Sequence, residues 1–200
     1  MARFYLLPTI IGMSTMVAAY VASNVDVISA AAVNGSSNVQ FKSGVYGLDA
    51  PKVIPINGSS YDWWYFDVVS DDQLYNVVFS FLAAPATGFA FSFSPIDEIL
   101  NAAMFLSTPS GETSLTFAFP AEQAVLVSQG NGASGVWEGT GMSWVGAPDL
   151  SSYVVTVDSP GDIKGSVTFR SVWKPLNRLS DVLTKIFCPG GSCSLSFRSR

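Results

Sequence analysis

The stretch Asn57-Gly58-Ser59-Ser60-Tyr61-Asp62-Trp63-Trp64-Tyr65-Phe66-Asp67-Val68-Val69-Ser70 runs from a turn signal straight into four consecutive aromatics held between two acids. Its aromatic and β-branched content reads as a strand. A period of two then sends Trp63, Tyr65 and Asp67 to one face and Asp62, Trp64 and Phe66 to the other. Both faces are largely aromatic, so a sheet with one wet side is not expected. One face packs a core; the other, with Tyr65 and Asp67 beside an indole, has the character of a cavity wall, mostly apolar with a few polar atoms at fixed positions. The plainer alternative is an aromatic core strand with acids at its ends.

From this strand the β pattern extends both ways. Ser70-Asp71-Asp72-Gln73 is a polar turn, and Leu74–Leu82 resumes a β-rich run, so Tyr61–Val69 and Leu74–Leu82 are expected to form an antiparallel hairpin. Asn76 and Ser80 alternate with apolar residues there and are candidates to add polar atoms to the cavity side. Residues 39–57 read as an extended lead-in with short strands. Pro95–Met104 is a modest helical candidate, with Asp97 and Glu98 in its first turn, although Ala102–Leu106 reads equally as a strand. Further strands are expected at Thr113–Phe119, Ala124–Ser128, Gly135–Trp144, Ser152–Val157 and Gly165–Val172, separated by Gly-, Pro-, Asn- and Asp-rich turns. About eight short strands at this spacing indicate a single all-β domain, an antiparallel lipocalin-like barrel or β-sandwich.

Two hundred residues suffice to bury a real core. With 48% hydrophobic and 12% charged residues the chain is not of disordered type. Ten Lys and Arg against fifteen Asp and Glu, net −5, leave no basic stripe for nucleic acid. Histidine is absent, which removes Ser-His-Asp and Cys-His nucleophile systems and imidazole zinc sites, and no Walker or dinucleotide fingerprint is present. No cofactor is expected.

The ends differ in texture. Residues 1–33 carry one Arg, an apolar run from Phe4 to about Ala22 and then small residues, as in a secretory signal peptide, with Val17-Ala18-Ala19 and Ile28-Ser29-Ala30 offering cleavage sites; a retained membrane anchor is the alternative. Asn34-Gly35-Ser36 and Asn57-Gly58-Ser59 are glycosylation sequons. Residues 34–173 form the domain. After Trp173 the β pattern stops, and in the tail, 174–200, Cys188 and Cys193 would close a small loop in an oxidising compartment or remain unpaired.

The aromatic stretch, together with Gly135-Val136-Trp137-Glu138-Gly139-Thr140-Gly141 and Pro148-Asp149-Leu150-Ser151-Ser152-Tyr153-Val154-Val155, resembles the amino-terminal domain of the fungal Diels–Alderases, a lipocalin-like group that includes carotenoid hydratases. The likeness covers roughly residues 40–172. It implies a pocket enclosed by two β-domains in which a polyene joined to a tetramic acid closes to a decalin by intramolecular [4+2] cycloaddition, without cofactor or metal. On that resemblance Tyr65 and Asp67 would be catalytic, Tyr65 as a donor and Asp67 as an orienting or polar-end group, while Trp63 and Trp64 would line the substrate; Asn76 and Ser80 join the lining by strand alternation alone. Trp137 and Trp144 are expected in the core. The resemblance also implies a second β-domain or self-association over the exposed interface. Two other readings follow the same residues: a secreted binding module for a hydrophobic small molecule, and a carotenoid-hydratase-like addition of water through Asp67.

Overall fold

In the computed structural model the described residues are 23–41, 47–90, 92, 94–107, 115–159, 163–171 and 194–197. They form strands and turns, with no helix among them. The strands are β1 (Ser23–Ser29), β2 (Asn38–Val39), β3 (Val53–Ile54), β4 (Asp62–Val69), β5 (Asn76–Ala83), β6 (Leu100–Ser107), β7 (Leu115–Pro120), β8 (Gln123–Gln129), β9 (Gly132–Trp137), β10 (Met142–Gly146), β11 (Ser152–Asp158), β12 (Lys164–Arg170) and β13 (Ser194–Phe197). They build a seven-stranded sheet in the order β1-β8-β9-β10-β11-β12-β13, a four-stranded sheet in the order β4-β5-β6-β7, and the small pair β2-β3. Every strand pair is antiparallel. The chain is therefore all-β, as its residue pattern predicts. No strand pairing joins the two larger sheets among the described residues, so they are the halves of a sandwich.

The core between them is aromatic. Trp64, Phe66, Phe79 and Phe81 project from the four-stranded sheet, and Trp137, Trp144, Tyr153 and Phe169 from the seven-stranded one, each at most 7% exposed. The rings interlock across the gap: Trp64 lies 5.7 Å from Trp137 and 5.4 Å from Trp144, and Phe81 lies 4.7 Å from Trp144. Phe66 contacts Trp144, Tyr153 and Phe169 at 5.8–5.9 Å. Tilted and edge-on contacts of this kind add to the hydrophobic gain of burying the rings. One glycine makes the fit possible, because a Cβ at Gly135 would lie 2.1 Å from Cη2 of Trp144, inside the indole itself.

The expected hairpin is present as β4 and β5, closed by a turn in which Ser70 N donates to Tyr75 O and Asp72 Oδ1 accepts from Leu74 N. Three expectations change. The helical candidate at Pro95–Met104 is not helical: Leu100 begins β6, and pairing with β5 and β7 on both sides overrides the acidic first-turn signal, so the alternative strand reading of Ala102–Leu106 holds. The single strand expected over Gly135–Trp144 is instead the hairpin β9–β10, because Gly139 and Gly141 adopt positive φ (85° and 70°) and turn the chain between Trp137 and Met142. Residues 23–29, set apart with the leader by the sequence, form the edge strand β1 with Ile28 in the core, so the ordered sandwich starts before residue 34. Of the tail, 194–197 pair with β12; Cys188 and Cys193 lie outside the described residues.

Gly135→Ala should lower the unfolding free energy by about 2–3 kcal/mol in denaturant titration, since the added methyl overpacks the Trp144 ring. An unchanged midpoint would mean that the indole does not occupy this space.

Candidate functional site

The outer face of the four-stranded sheet follows from the register. Opposed residues share a face in an antiparallel pair, so the pairings of β4, β5, β6 and β7 set out successive rows across the sheet. Trp63, Leu82, Asn101 and Pro120 make the first, Tyr65, Ser80, Ala103 and Ala118 the second, and Asp67, Val78 and Phe105 the third. Val69, Asn76 and Ser107 begin a fourth. Trp63 and Tyr65 are 40% and 49% exposed, and Asp67 is half-buried. A sheet face turned only to water would carry charged and small polar groups here. This one carries aromatic and aliphatic side chains interspersed with the uncharged polar groups of Ser80, Asn76 and Asn101, and a single carboxylate at Asp67.

The structure thus brings Trp63, Tyr65, Asp67, Ser80 and Asn76 to one face. Trp64 does not share it. The residue is 7% exposed and packs between Trp137 and Trp144, because adjacent positions on a strand point to opposite sides. Its expected contact with substrate is corrected to a core role. Asn101, Phe105 and Ala103 complete the face and were not singled out from sequence; the period of two from Asn101 to Phe105 was the available signal.

At the Trp63 end the loop after β5 folds back over the sheet edge. Thr87 Oγ1 donates to Gly58 O at 2.5 Å, and Gly88 lies so near Ser60 that a Cβ there would sit 2.9 Å from its carbonyl oxygen. Ser92 Oγ donates to Ala84 O and accepts from Ser94 N, and Asn101 Nδ2 donates to Ser94 Oγ at 2.5 Å. These ties seat Phe89 against Tyr61 (centroids 4.6 Å, stacked) and against Trp63 (5.2 Å, edge-on), with Tyr65 next at 6.0 Å from Trp63. The result is a continuous aromatic platform.

Partial burial, and then the neighbouring Asp67 carboxylate, push the Tyr65 phenol up from its ordinary value. Tyr65 is therefore a protonated donor at neutral pH. Asp67 has no hydrogen-bond partner among the described residues. The work of satisfying backbone amides falls to Asp62 instead: Oδ2 accepts from Lys52 N at 2.7 Å and Val53 N at 3.2 Å, pinning the lead-in segment across β4.

That segment also holds Asp49, which lies inside the sandwich edge and not on the outer face. Its Oδ2 accepts from Tyr153 Oη at 2.7 Å, its carbonyl accepts from Trp64 Nε1 at 3.4 Å, and its N–H donates to Asn131 O. Burial raises its carboxyl to about 6, with the Tyr153 hydrogen bond and Lys52 opposing and Asp62 reinforcing the rise. A folded-state value above the unfolded one means that the folded chain binds the extra proton. The stability contributed is complete below the ordinary value of 3.8 and is lost as pH rises through about 6.

The Diels-Alderase-like family matches residues 20–185 of the chain. Among its relatives, the quinolone epoxide rearrangement protein asqO of Emericella nidulans is 33% identical over 148 residues, covering 71% of this chain and 39% of that protein. The Diels-Alderase cheD of Chaetomium globosum is 31% identical over 129 residues, 64% of this chain and 29% of its own. The crystal structure of CghA with Sch210972 shares the fold at a TM-score of 0.53 and 22% identity, over 76% of this chain and 40% of that one. The chain spans about two fifths or less of the length of these relatives.

Asp49→Asn, which keeps an acceptor for Tyr153 without the buried charge, should raise stability at pH 7.5 by on the order of 1 kcal/mol and flatten its fall between pH 3.8 and about 6. Urea titrations across that window and at pH 7.5 check this; an unaltered pH slope would show that Asp49 does not carry it.

Proposed function

The chain belongs to the Diels-Alderase-like family, and from that premise we propose that it serves a cofactor-independent pericyclase, with the outer face of β4–β7 as a wall of the substrate site. The reaction is intramolecular [4+2] cycloaddition of a polyene polyketide, a polyenoyl tetramic acid closing to a decalin. The observation that carries the reading is the exposure of Trp63 and Tyr65 on one face with Asp67 and Ser80. Such a face supplies what the reaction asks of a protein. Trp63 and Phe89 offer flat apolar surface on which a folded polyene holds diene and dienophile together, an entropic contribution. The Tyr65 hydroxyl, kept protonated, polarises the carbonyl conjugated to the dienophile and stabilises the charge that gathers on its oxygen. Asp67 holds a polar end of the substrate. A second β-domain, or a second copy of this chain, would close the face from above.

A second reading has its own support. The relative asqO is named for rearrangement of a quinolone epoxide, and a platform of Tyr61, Trp63 and Phe89 suits a planar heterocycle as well as a polyene. Binding of a hydrophobic small molecule without chemistry is the limiting case of both.

The chain incubated with a polyenoyl tetramic acid should speed decalin formation and narrow its diastereomer ratio, read by chromatography. Tyr65→Phe should then slow turnover about tenfold or more, through loss of one donor to the developing oxyanion, with unfolding free energy changed by less than about 0.5 kcal/mol. Product ratios equal to the uncatalysed reaction would refute the reading.

The apolar leader and the two sequons fit entry into the secretory pathway, with glycans on Asn34, which is exposed, and on Asn57. The two lie on neighbouring chain segments, since Asn57 Nδ2 donates to Gly35 O at 2.9 Å. Peptide N-glycosidase should lower the intact mass of the native protein by two glycan increments, one abolished by Asn34→Gln and the other by Asn57→Gln. A mass unaffected by the glycosidase would remove this route.

A further inference from the structure

The tetrapeptide Asn-Gly-Ser-Ser occurs twice, as Asn34-Gly35-Ser36-Ser37 and as Asn57-Gly58-Ser59-Ser60, each time after a β-branched residue, and a third Asn-Gly step stands at Asn131-Gly132. Asparagine before glycine is prone to attack on itself, because no side chain keeps the glycine nitrogen away from the neighbouring carboxamide carbon. Local sequence makes the two tetrapeptides alike in this respect. Only the fold can tell them apart.

The fold lays them side by side. Val33 forms a parallel bridge with Asn57, its N–H donates to Ile56 O at 2.9 Å, and the hydroxyls of Ser37 and Ser60 lie 2.7 Å apart. The two asparagines are nevertheless held differently. The Asn57 carboxamide is tied at both ends: Nδ2 donates to Gly35 O at 2.9 Å, and Oδ1 accepts from Ser59 N at 2.9 Å and from Ser59 Oγ at 3.1 Å. Its backbone N–H donates to Ser60 Oγ at 2.9 Å. Asn131 is held through its backbone, with its N–H donating to Pro148 O at 2.7 Å and its carbonyl accepting from Asp49 N at 3.0 Å, and Gly132 is buried where a Cβ would run into the Ala147 carbonyl. Asn34 has none of these restraints. It is exposed, its carboxamide and the Gly35 nitrogen make no hydrogen bond among the described residues, and a Cβ on Gly35 would meet nothing within 4 Å.

We infer that Asn34 is a site of spontaneous deamidation, passing through a succinimide to isoaspartate, and that the fold withholds the same chemistry from Asn57 and Asn131. Solvent base takes the Gly35 N–H proton, and the nitrogen lone pair bonds to Cγ of Asn34. The Cγ–Nδ2 bond breaks, and Nδ2 takes a proton from water and leaves as ammonia. Water then adds to one of the two ring carbonyls. Opening at Cγ gives aspartate in an ordinary peptide link; opening at the main-chain carbonyl carbon gives isoaspartate, with the chain running through the side chain. One water is consumed and one ammonia released, with no change of oxidation state. A glycan on Asn34 would occupy the same nitrogen, so the two modifications compete for one atom.

Isoaspartate adds a methylene to the main chain between two anchors, the Val33 N–H on Ile56 O and the Gly35 carbonyl on Asn57 Nδ2. Their spacing then no longer matches that of the segment they grip. That segment also offers the Gly58 carbonyl to Thr87, in the loop that carries Phe89. The inference is independent of the pericyclase reading.

The test uses the full chain produced without glycosylation, incubated at mildly alkaline pH and followed by peptide mass spectrometry. Asn34 should convert about tenfold or more faster than Asn57 and Asn131, since ring closure there breaks no hydrogen bond and moves no packed group. Methyl transfer by protein isoaspartyl methyltransferase should show isoaspartate in excess of aspartate. In guanidinium chloride, with the fold gone, Asn34 and Asn57 should convert within about threefold of each other. Gly35→Ala, whose methyl enters open space, should slow the Asn34 step by about tenfold and leave the unfolding midpoint unchanged. Equal rates at Asn34 and Asn57 in the folded chain would overturn the inference. A preference for Asn34 that persists in guanidinium would place the cause in sequence and overturn it as well, and aspartate formed without isoaspartate would rule out the succinimide.

Discussion

The indole of Trp64, clasped between Trp137 and Trp144, fixes the rest of the molecule. Once that ring is committed to the space between the sheets, strand geometry leaves no freedom for its neighbours. Trp63 and Tyr65 must face outward on β4, and the pairing of β5 and β6 then brings Ser80, Ala103 and Asn101 beside them. A slip of one residue would put Asp67 into the aromatic core and Trp64 into water. The core thus stabilises the fold and also determines which side chains the outer face presents.

The lead-in segment has a related task. Residues 47–54 cross the edge of the sandwich, held on one side by the Asp62 carboxylate and on the other by hydrogen bonds from Gly47 and Asp49 to the β8–β9 turn. Asp49 reaches further in and receives the Tyr153 hydroxyl. Desolvation works against both acids, and burial raises both carboxyls. Neither is placed to meet a ligand on the outer face. The acid on that face, Asp67, has no hydrogen-bond partner among the described residues.

How far the sequence discloses this differs by element. The period of two in Asp62–Val69 was legible once the run was read as a strand, and the structure divides it the same way, burying Trp64 and Phe66 and leaving Trp63 and Tyr65 exposed. Alternation put Asn76 and Ser80 on one side of the second strand without deciding which, and the pairing with β4 makes it the Tyr65 side. Gly139-Thr140-Gly141 was harder: within a run of strand formers a glycine pair reads as a weak strand as readily as a turn, and only the backbone angles decide. Asn101 and Ala103 were hidden by acids just before them that mimic a helix start. Asp49 could not have been found at all, since its partner lies 104 residues away and no local pattern encodes that contact. The family resemblance supplied the choice of chemistry, which composition and spacing did not contain.

The three buried indoles have an optical consequence. Trp64, Trp137 and Trp144 stand with ring centroids 5.2–5.7 Å apart and mutually tilted. Transition dipoles that close and that skewed couple, so the folded sandwich has a chiral chromophore assembled from both sheets. Its circular dichroism in the aromatic region belongs to neither sheet alone. Trp63, outside that triad and 40% exposed, sits where a bound chromophore would change its emission. One side of β4 therefore carries an intrinsic signal for closure of the sandwich, and the other an intrinsic signal for occupancy of the face.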